Sequence, residues 1–172
     1  MFNAKMFSPK SLLVFLIVIF AYIYLFNYRY NEPLDIASAG PDFELKTLDN
    51  KIFNLSDIHT YKAIIFFKDN TIFSRHYLQF IEEFRSINKN RSVYIILLFF
   101  AQQDPNQILS ILEKNKRLAK IKDIIYLADI KKIAKLYGVK SWPHFYLLDQ
   151  DNIVVYRAKT PSINKIRVFL GG

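Results

Sequence analysis

The order of apolar runs predicts an α/β fold: a central mixed sheet with helices on both faces, preceded by a transmembrane helix. Three observations carry this reading. Short apolar runs suited to buried strands alternate with stretches of helical period. The last pair of runs doubles back through a polar turn, which adds antiparallel strands and makes the sheet mixed. Near the N-terminus, Ser11 to Tyr28 carries no charge.

That uncharged run spans roughly 27 Å as a helix, close to the thickness of a hydrocarbon core. Lys5 and Lys10 precede it, and Tyr22, Tyr24, Tyr28 and Tyr30 cluster where an aromatic belt would lie. The basic residues favour residues 1–10 as a cytoplasmic N-terminus, 11–28 as an uncleaved anchor and an exported body. A cleaved signal peptide competes, since "ASA" at 37–39 has the small-residue pattern of a cleavage site. Against it, the apolar run is long for a signal core and "ASA" lies well beyond its end. Residues 29–41, with Pro33 and Pro41, read as a linker. Residues 42–172 then form one domain.

Within that domain the elements follow in order. "DFELKTLDNKIFNLSD" reads as a hairpin about "LDN". "YKAIIFF", Tyr61 to Phe67, suits a buried strand. Phe73, Tyr77, Phe80, Ile81 and Phe84 share one face of the helix that follows. Ser92 to Phe99 is the next strand. Asp104-Pro105 matches an N-cap followed by proline, opening a helix with Ile108, Ile111 and Leu112 inward. "IIYLAD" at 124–129 is a strand. Ile130, Ile133, Ala134 and Tyr137 mark a helix stopped by Gly138. "HFYLLDQDNIVVYR" is a hairpin turning at "DQDN". Thr160-Pro161 repeats the cap-and-proline signal before Ile163, Ile166 and Leu170.

Composition narrows the chemistry. The net charge is +9, but basic and acidic residues are interspersed. The densest basic run, Lys114 to Lys122, reads either as a solvated helix end or as a surface for anionic headgroups or an acidic partner. No nucleic-acid-binding motif and no zinc spacing occur. The chain contains no cysteine. It therefore offers no lipobox, no disulfide and no thiolate for exchange, peroxide or metal chemistry.

Several segments resemble a known family. "GPDFELKTLDNKIFNLSDI" is similar to the opening of the redoxin, or thiol-specific antioxidant, branch of the thioredoxin superfamily. "AIIFFKDNTIFSRHYLQF" resembles that family's strand, active-site loop and first helix. "ADIKKIAKLYGVKSWPHFYLLDQDNIV" resembles its Tyr-Gly-Val, proline and closing strand. The resemblance covers about residues 40 to 170. Its closest look is to membrane-anchored bacterial thioredoxin-like proteins with an exported domain, so it implies a thioredoxin-like fold at a bacterial inner membrane, crossed once, with the domain on the periplasmic or other extracytoplasmic side.

The departures bear on function. Aligned with the family's dithiol members, the two cysteine positions fall on Thr71 and Ser74. Aligned with peroxiredoxins, Thr71 matches a threonine and Ser74 replaces the peroxidatic cysteine. A serine hydroxyl is far less acidic than a thiol and forms no disulfide. By resemblance Pro143 is the cis-proline facing the first helix; the alternative is a trans-proline in a strand-opening turn. The resemblance further implies that backbone groups at Trp142 pair with an extended peptide, which requires no sulfur. Trp142 itself reads as a half-buried packing residue or as an aromatic anchor.

Two functions of different class follow. The first is a non-catalytic binding or assembly module, with Thr71, Ser74, Trp142 and Pro143 lining a groove for an extended segment of an exported or membrane protein. It needs no cofactor and no metal, and its partners include the membrane but not nucleic acid. The second is an enzyme, either an oxidoreductase by homology or a non-thiol catalyst. Ser74 with His76, His144 and Asp69 holds the ingredients of a triad, and two histidines with Asp69 those of a metal site. Neither comes with a nucleophile elbow, and a strand position for His144 can aim it away. His59 falls in a loop and carries no assignment.

Overall fold

The computed structural model describes residues 9–30, 32–67, 75–88, 93–99, 110, 113–114 and 116–170. Seven strands form one mixed sheet. They are β1 (Glu44–Thr47), β2 (Ile52–Asn54), β3 (Tyr61–Phe67), β4 (Val93–Phe99), β5 (Ile125–Leu127), β6 (His144–Leu148) and β7 (Val154–Ala158). Their order is β2-β1-β5-β4-β3-β6-β7. The pairs β3–β4 and β4–β5 are parallel, and the rest are antiparallel. The α/β architecture and mixed sheet expected from the sequence are both present.

The helices follow from local sequence. Helix α1 runs Pro9–Tyr30. Helix α2, Arg75–Ile87, buries Leu78, Ile81 and Phe84, with Tyr77 and Phe80 at the margin of the same core. Helix α3 is the short Lys116–Ala119. Helix α4, Ile130–Leu136, is capped by Asp129, whose side chain accepts from the Lys132 N–H at 3.1 Å. Gly138 ends it at φ +62, a left-handed turn that glycine adopts without strain. Helix α5, Ile163–Phe169, opens after Ser162 and not directly after Thr160-Pro161. The Ser162 N–H is instead held by the Tyr156 hydroxyl at 3.3 Å, which delays the first turn. Phe73, Asp104, Pro105, Ile108, Ile111 and Leu112 lie outside the described residues.

Two cores sit on opposite faces of the sheet. Ala63, Ile65, Phe67, Phe145 and Leu147 pack beneath α2 and α5. Ile64, Phe66, Tyr146 and Leu148 pack beneath α4, with Leu45 and Leu55 from the N-terminal hairpin and the turn after it. Side chains alternate along β3 and β6, so each strand feeds both cores. One polar residue interrupts β3: Lys62 is fully buried, and its Nζ donates to the backbone oxygens of Asp149 and Gln150 at 3.0 and 3.1 Å. It emerges under the exposed β6–β7 turn and ties that turn to the central strand.

The segment expected to be a linker is packed against the domain over its last ten residues. The Leu34 N–H donates to Tyr137 O, and Arg157 donates to Pro33 O and to Asp35 at 2.9 Å. Ala37 N–H donates to Val154 O, and Val154 N–H to Ser38 O, which lays the segment along the β7 edge. The Tyr137 hydroxyl donates to Pro41 O at 2.9 Å. Asp42 then accepts from the Ser56 N–H and hydroxyl, fixing the start of the hairpin to the Leu-Ser-Asp turn. Residues 32–41 thus form a strap, whose polar backbone is paired with the body.

Helix α1 is apolar around its circumference. Leu12, Phe15, Phe20, Tyr24 and Leu25 are all at least half exposed. The transmembrane expectation for 11–28 meets a 22-residue helix. Among the described residues, however, no helix is long and apolar enough to cross a membrane.

Gly138 leaves no room for a side chain beside the strap. A Cβ there would stand 1.8 Å from Glu32 O. Gly138→Ala combines that clash with a strained positive φ. We expect it to lower stability by about 2 kcal/mol or more. A urea midpoint measures the loss, and faster proteolysis between α1 and β1 reports release of the strap.

Candidate functional site

The site is built where β3 ends and β6 begins. Antiparallel pairing sets Phe66 opposite His144, which brings Pro143 beside Phe67, the last residue of β3. Residues 68–74 connect β3 to α2 from that same end. The Trp142–Pro143 peptide bond is cis, as the resemblance implied. Trp142 is half-buried, its ring edge-on to Phe66 at 6.1 Å between centroids, at the margin of the α4-side core. Asp69, Thr71 and Ser74 lie outside the described residues. Of the groove set, the structure therefore describes Trp142 and Pro143.

The two candidate histidines are not brought together. His76 is exposed on α2, which covers the sheet face bearing Phe145 and Leu147. His144 alternates with Phe145 and so points to the other face, where its ring stacks on Tyr146 at 4.9 Å. A sheet separates the two imidazoles, which dismantles a site needing both. Among the described residues no three metal-ligating side chains cluster. A cleft of about 470 Å³ lies between β1 and α4, lined by Phe43, Lys46, Ile130 and Ile133, away from Trp142 and both histidines.

His144 is the unusual group. It is 4% exposed, and neither ring nitrogen has a hydrogen-bond partner among the described residues. Burial holds its pKa down to about 4, and the nearby cations of Arg157 and Lys159 push the same way. The imidazole is therefore neutral near pH 7. A buried ring whose basicity is lowered in this way is a weak proton acceptor at neutral pH, and it serves here as a flat packing surface against Tyr146. On the same face Tyr146 donates its hydroxyl to Tyr137 O at 2.6 Å, and burial raises its pKa to about 12. The Tyr137 hydroxyl, also buried, is shifted upward by desolvation. These phenols stay protonated and act as donors that tie α4 and the strap to β6.

Sequence reasoning did not foresee three of these features: the buried Lys62, the unpartnered His144 and the docked strap. Lys62 did leave a signal, a lone lysine within "YKAIIFF". Nothing local marks Glu32 as the neighbour of Gly138.

This geometry defines a class. Parallel β3–β4–β5, an antiparallel β6–β7 hairpin, helices on both faces and a proline at the head of β6 make a thioredoxin-like protein. The sequence model of the AhpC/TSA family matches residues 36–157, and the chain belongs to that family. It is a redoxin without the family's active-site cysteines. No curated protein matches it. Solved structures share the fold. The thioredoxin domain of a thiol-disulfide oxidoreductase from Bacteroides vulgatus superposes with a TM-score of 0.63 at 16% identity, over 80% of this chain and 99% of that one. A thiol:disulfide interchange protein from Bacteroides sp. gives 0.65 at 16% identity, over 81% and 92%. The pneumococcal exposed lipoprotein thioredoxin from Streptococcus pneumoniae gives 0.57 at 18% identity, over 76% and 98%.

The His144 environment predicts a pH dependence. Its folded pKa, about 4, lies below the unfolded value of 6.5. Between those values the unfolded chain binds the extra proton, so stability rises with pH and is lost as pH falls from 6.5 towards 4. The contribution is at most about 3 kcal/mol. His144→Phe keeps the stack on Tyr146 and removes the titration. Denaturation midpoints at pH 7 and pH 4.5 should therefore differ less in the variant than in the wild type.

Proposed function

We propose that this chain is a membrane-anchored thioredoxin-like domain that has left thiol chemistry behind and works as a binding or assembly module in the bacterial cell envelope. The observation that carries the reading is the Trp142–Pro143 corner, kept beside the end of β3 in a redoxin with no cysteine. Capture of an extended segment at such a corner is what the resemblance implies, and strand addition needs no sulfur. Trp142 supplies an aromatic surface at its margin. The occupant is an extended segment of an exported or membrane protein, and the resemblance would add Thr71 and Ser74 to the residues that meet it.

The anchor is part of the proposal. Helix α1 exposes apolar side chains on all sides, which in water leaves a large unpartnered surface and in a bilayer none. Lys10 precedes the run and acidic residues follow in the strap, an arrangement that favours a cytoplasmic N-terminus and a periplasmic domain at the inner membrane.

The relatives named as thiol-disulfide oxidoreductases favour a second reading, an oxidoreductase by descent that retains turnover through a non-thiol group such as Ser74 or His76. The exposed His76, with the sheet between it and His144, gives such a catalyst little to work with.

Copurification from membranes separates the two. Trp142→Ala should reduce recovery of the bound partner by about tenfold, the loss of a single aromatic anchor. An unchanged partner set would sink the groove. Disulfide, peroxide or ester turnover that Ser74→Ala abolishes would establish the enzyme instead.

A further inference from the structure

Two lines of contact run from the strap to the Trp142–Pro143 corner. The first passes through side chains. The Tyr137 carbonyl, at the end of α4, accepts from the Leu34 N–H at 3.2 Å and from the Tyr146 hydroxyl at 2.6 Å. One oxygen thus joins strap, helix and β6. Arg157, opposite Tyr146 in the register, donates to Pro33 O and to Asp35. The Tyr146 ring stacks on His144, the residue after Pro143, and lies 6.1 Å from Phe66, which meets Trp142 edge-on. The second line runs along the chain. Glu32 O lies where a Cβ on Gly138 would stand, and only Val139, Lys140 and Ser141 separate Gly138 from Trp142. Leu34 and Trp142 also pack against the same core.

The strap is held more weakly than the parts it touches. Its ion pair to Arg157 uses a largely exposed Asp35 carboxylate, where such a pair contributes little. Ala37 sits at φ +68, a left-handed conformation that strains any residue with a Cβ. Beneath it Tyr137, Tyr146 and Leu148 are fully buried. A segment with exposed bonds and backbone strain opens at a lower free energy than the sheet it covers. The strap is also continuous with α1. That helix ends at Tyr30, and two residues reach at most about 7 Å. A larger displacement of α1 from the body draws Glu32 off Gly138.

We propose that the strap is a latch on the corner. Docked, it fixes the segment that carries Trp142; drawn off by α1, it loosens that segment while the sheet stays folded. The coupling is carried by packed rings and a shared carbonyl, a contiguous network with a docked and an undocked arrangement. Its consequence for binding rests on the reading of the corner as a groove: the docked state is the one that holds an extended segment.

Trp142 is the only tryptophan in the chain, so fluorescence excited beyond the tyrosine absorption reports the corner alone. Asp35→Lys sets a second cation against Arg157, and Ala37→Val puts a β-branched side chain at a positive φ. Both residues are exposed on the strap. Val93→Ala, in the core on the other face of the sheet, controls for a general loss of stability. In the full chain, with far-UV circular dichroism unchanged, acrylamide quenching of Trp142 should rise roughly twofold or more in the strap variants and stay at the wild-type level in the control. Faster proteolysis within residues 32–41 reports that the strap has opened. Unchanged quenching in variants whose strap is cleaved faster would overturn the latch, and so would an equal rise in the control. A strap cleaved no faster even with both substitutions combined would overturn it too, since a latch must open on its own. Copurification from membranes is read in the same variants. Partner recovery that falls as quenching rises supports latch and groove together. Recovery that holds while Trp142 loosens would sink the groove and leave the latch standing.

Discussion

Everything in the domain depends on one strand being buried on both sides. β3 sits between a parallel and an antiparallel neighbour, and six of its seven residues are buried. Successive side chains serve different cores, so no position along it can turn polar without a dedicated partner. Lys62 shows the rule by satisfying it: its ammonium is spent on two turn carbonyls. Because β3 is fixed on both faces, its C-terminal end is fixed too. That end sets the start of residues 68–74 and, through the Phe66–His144 pairing, the position of Pro143. The frame of a redox site thus persists on packing grounds alone, whether or not sulfur occupies it.

Among the described residues, the groups at the corner are mainly aromatic: Phe66, Trp142, Tyr146 and a neutral His144. The Arg157 cation and the Asp35 carboxylate are turned to the strap. The fold is the family's, and the family's active-site sulfur is missing from the sequence.

The sequence revealed much of this through local signals. "YKAIIFF" matched β3 residue for residue, since an apolar run between polar flanks reads the same in both. Gly138 was legible as a helix stop because a left-handed turn favours glycine. Spacing placed Ile130 and Ile133, whereas Asp129, read as the end of the strand 124–129, lies beyond Ile125–Leu127 and caps α4. The direction of His144 could be anticipated only as an alternation, because the face a strand residue chooses depends on register with β3, which is a long-range fact. The strap was read as a linker for a related reason. Pro33, Pro41 and small residues describe a segment that forms no element of its own, and they say nothing about whether another part of the chain accepts its backbone. Composition reports local conformation, and docking is decided by residues far away.

That distance has a consequence in time. The partners of the strap come from late in the chain: Pro41 is held by a residue 96 positions later, Asp35 by one 122 positions later and Pro33 by one 124 positions later. The strap is among the first parts of the domain to be synthesised, yet Arg157 must be made before its contacts can form. Until then the segment between α1 and the first hairpin has no place to dock, and the hydrogen-bonding groups of its backbone are left to solvent or to whatever escorts the nascent chain. The part that holds helix and body together thus closes only after β7 has been made.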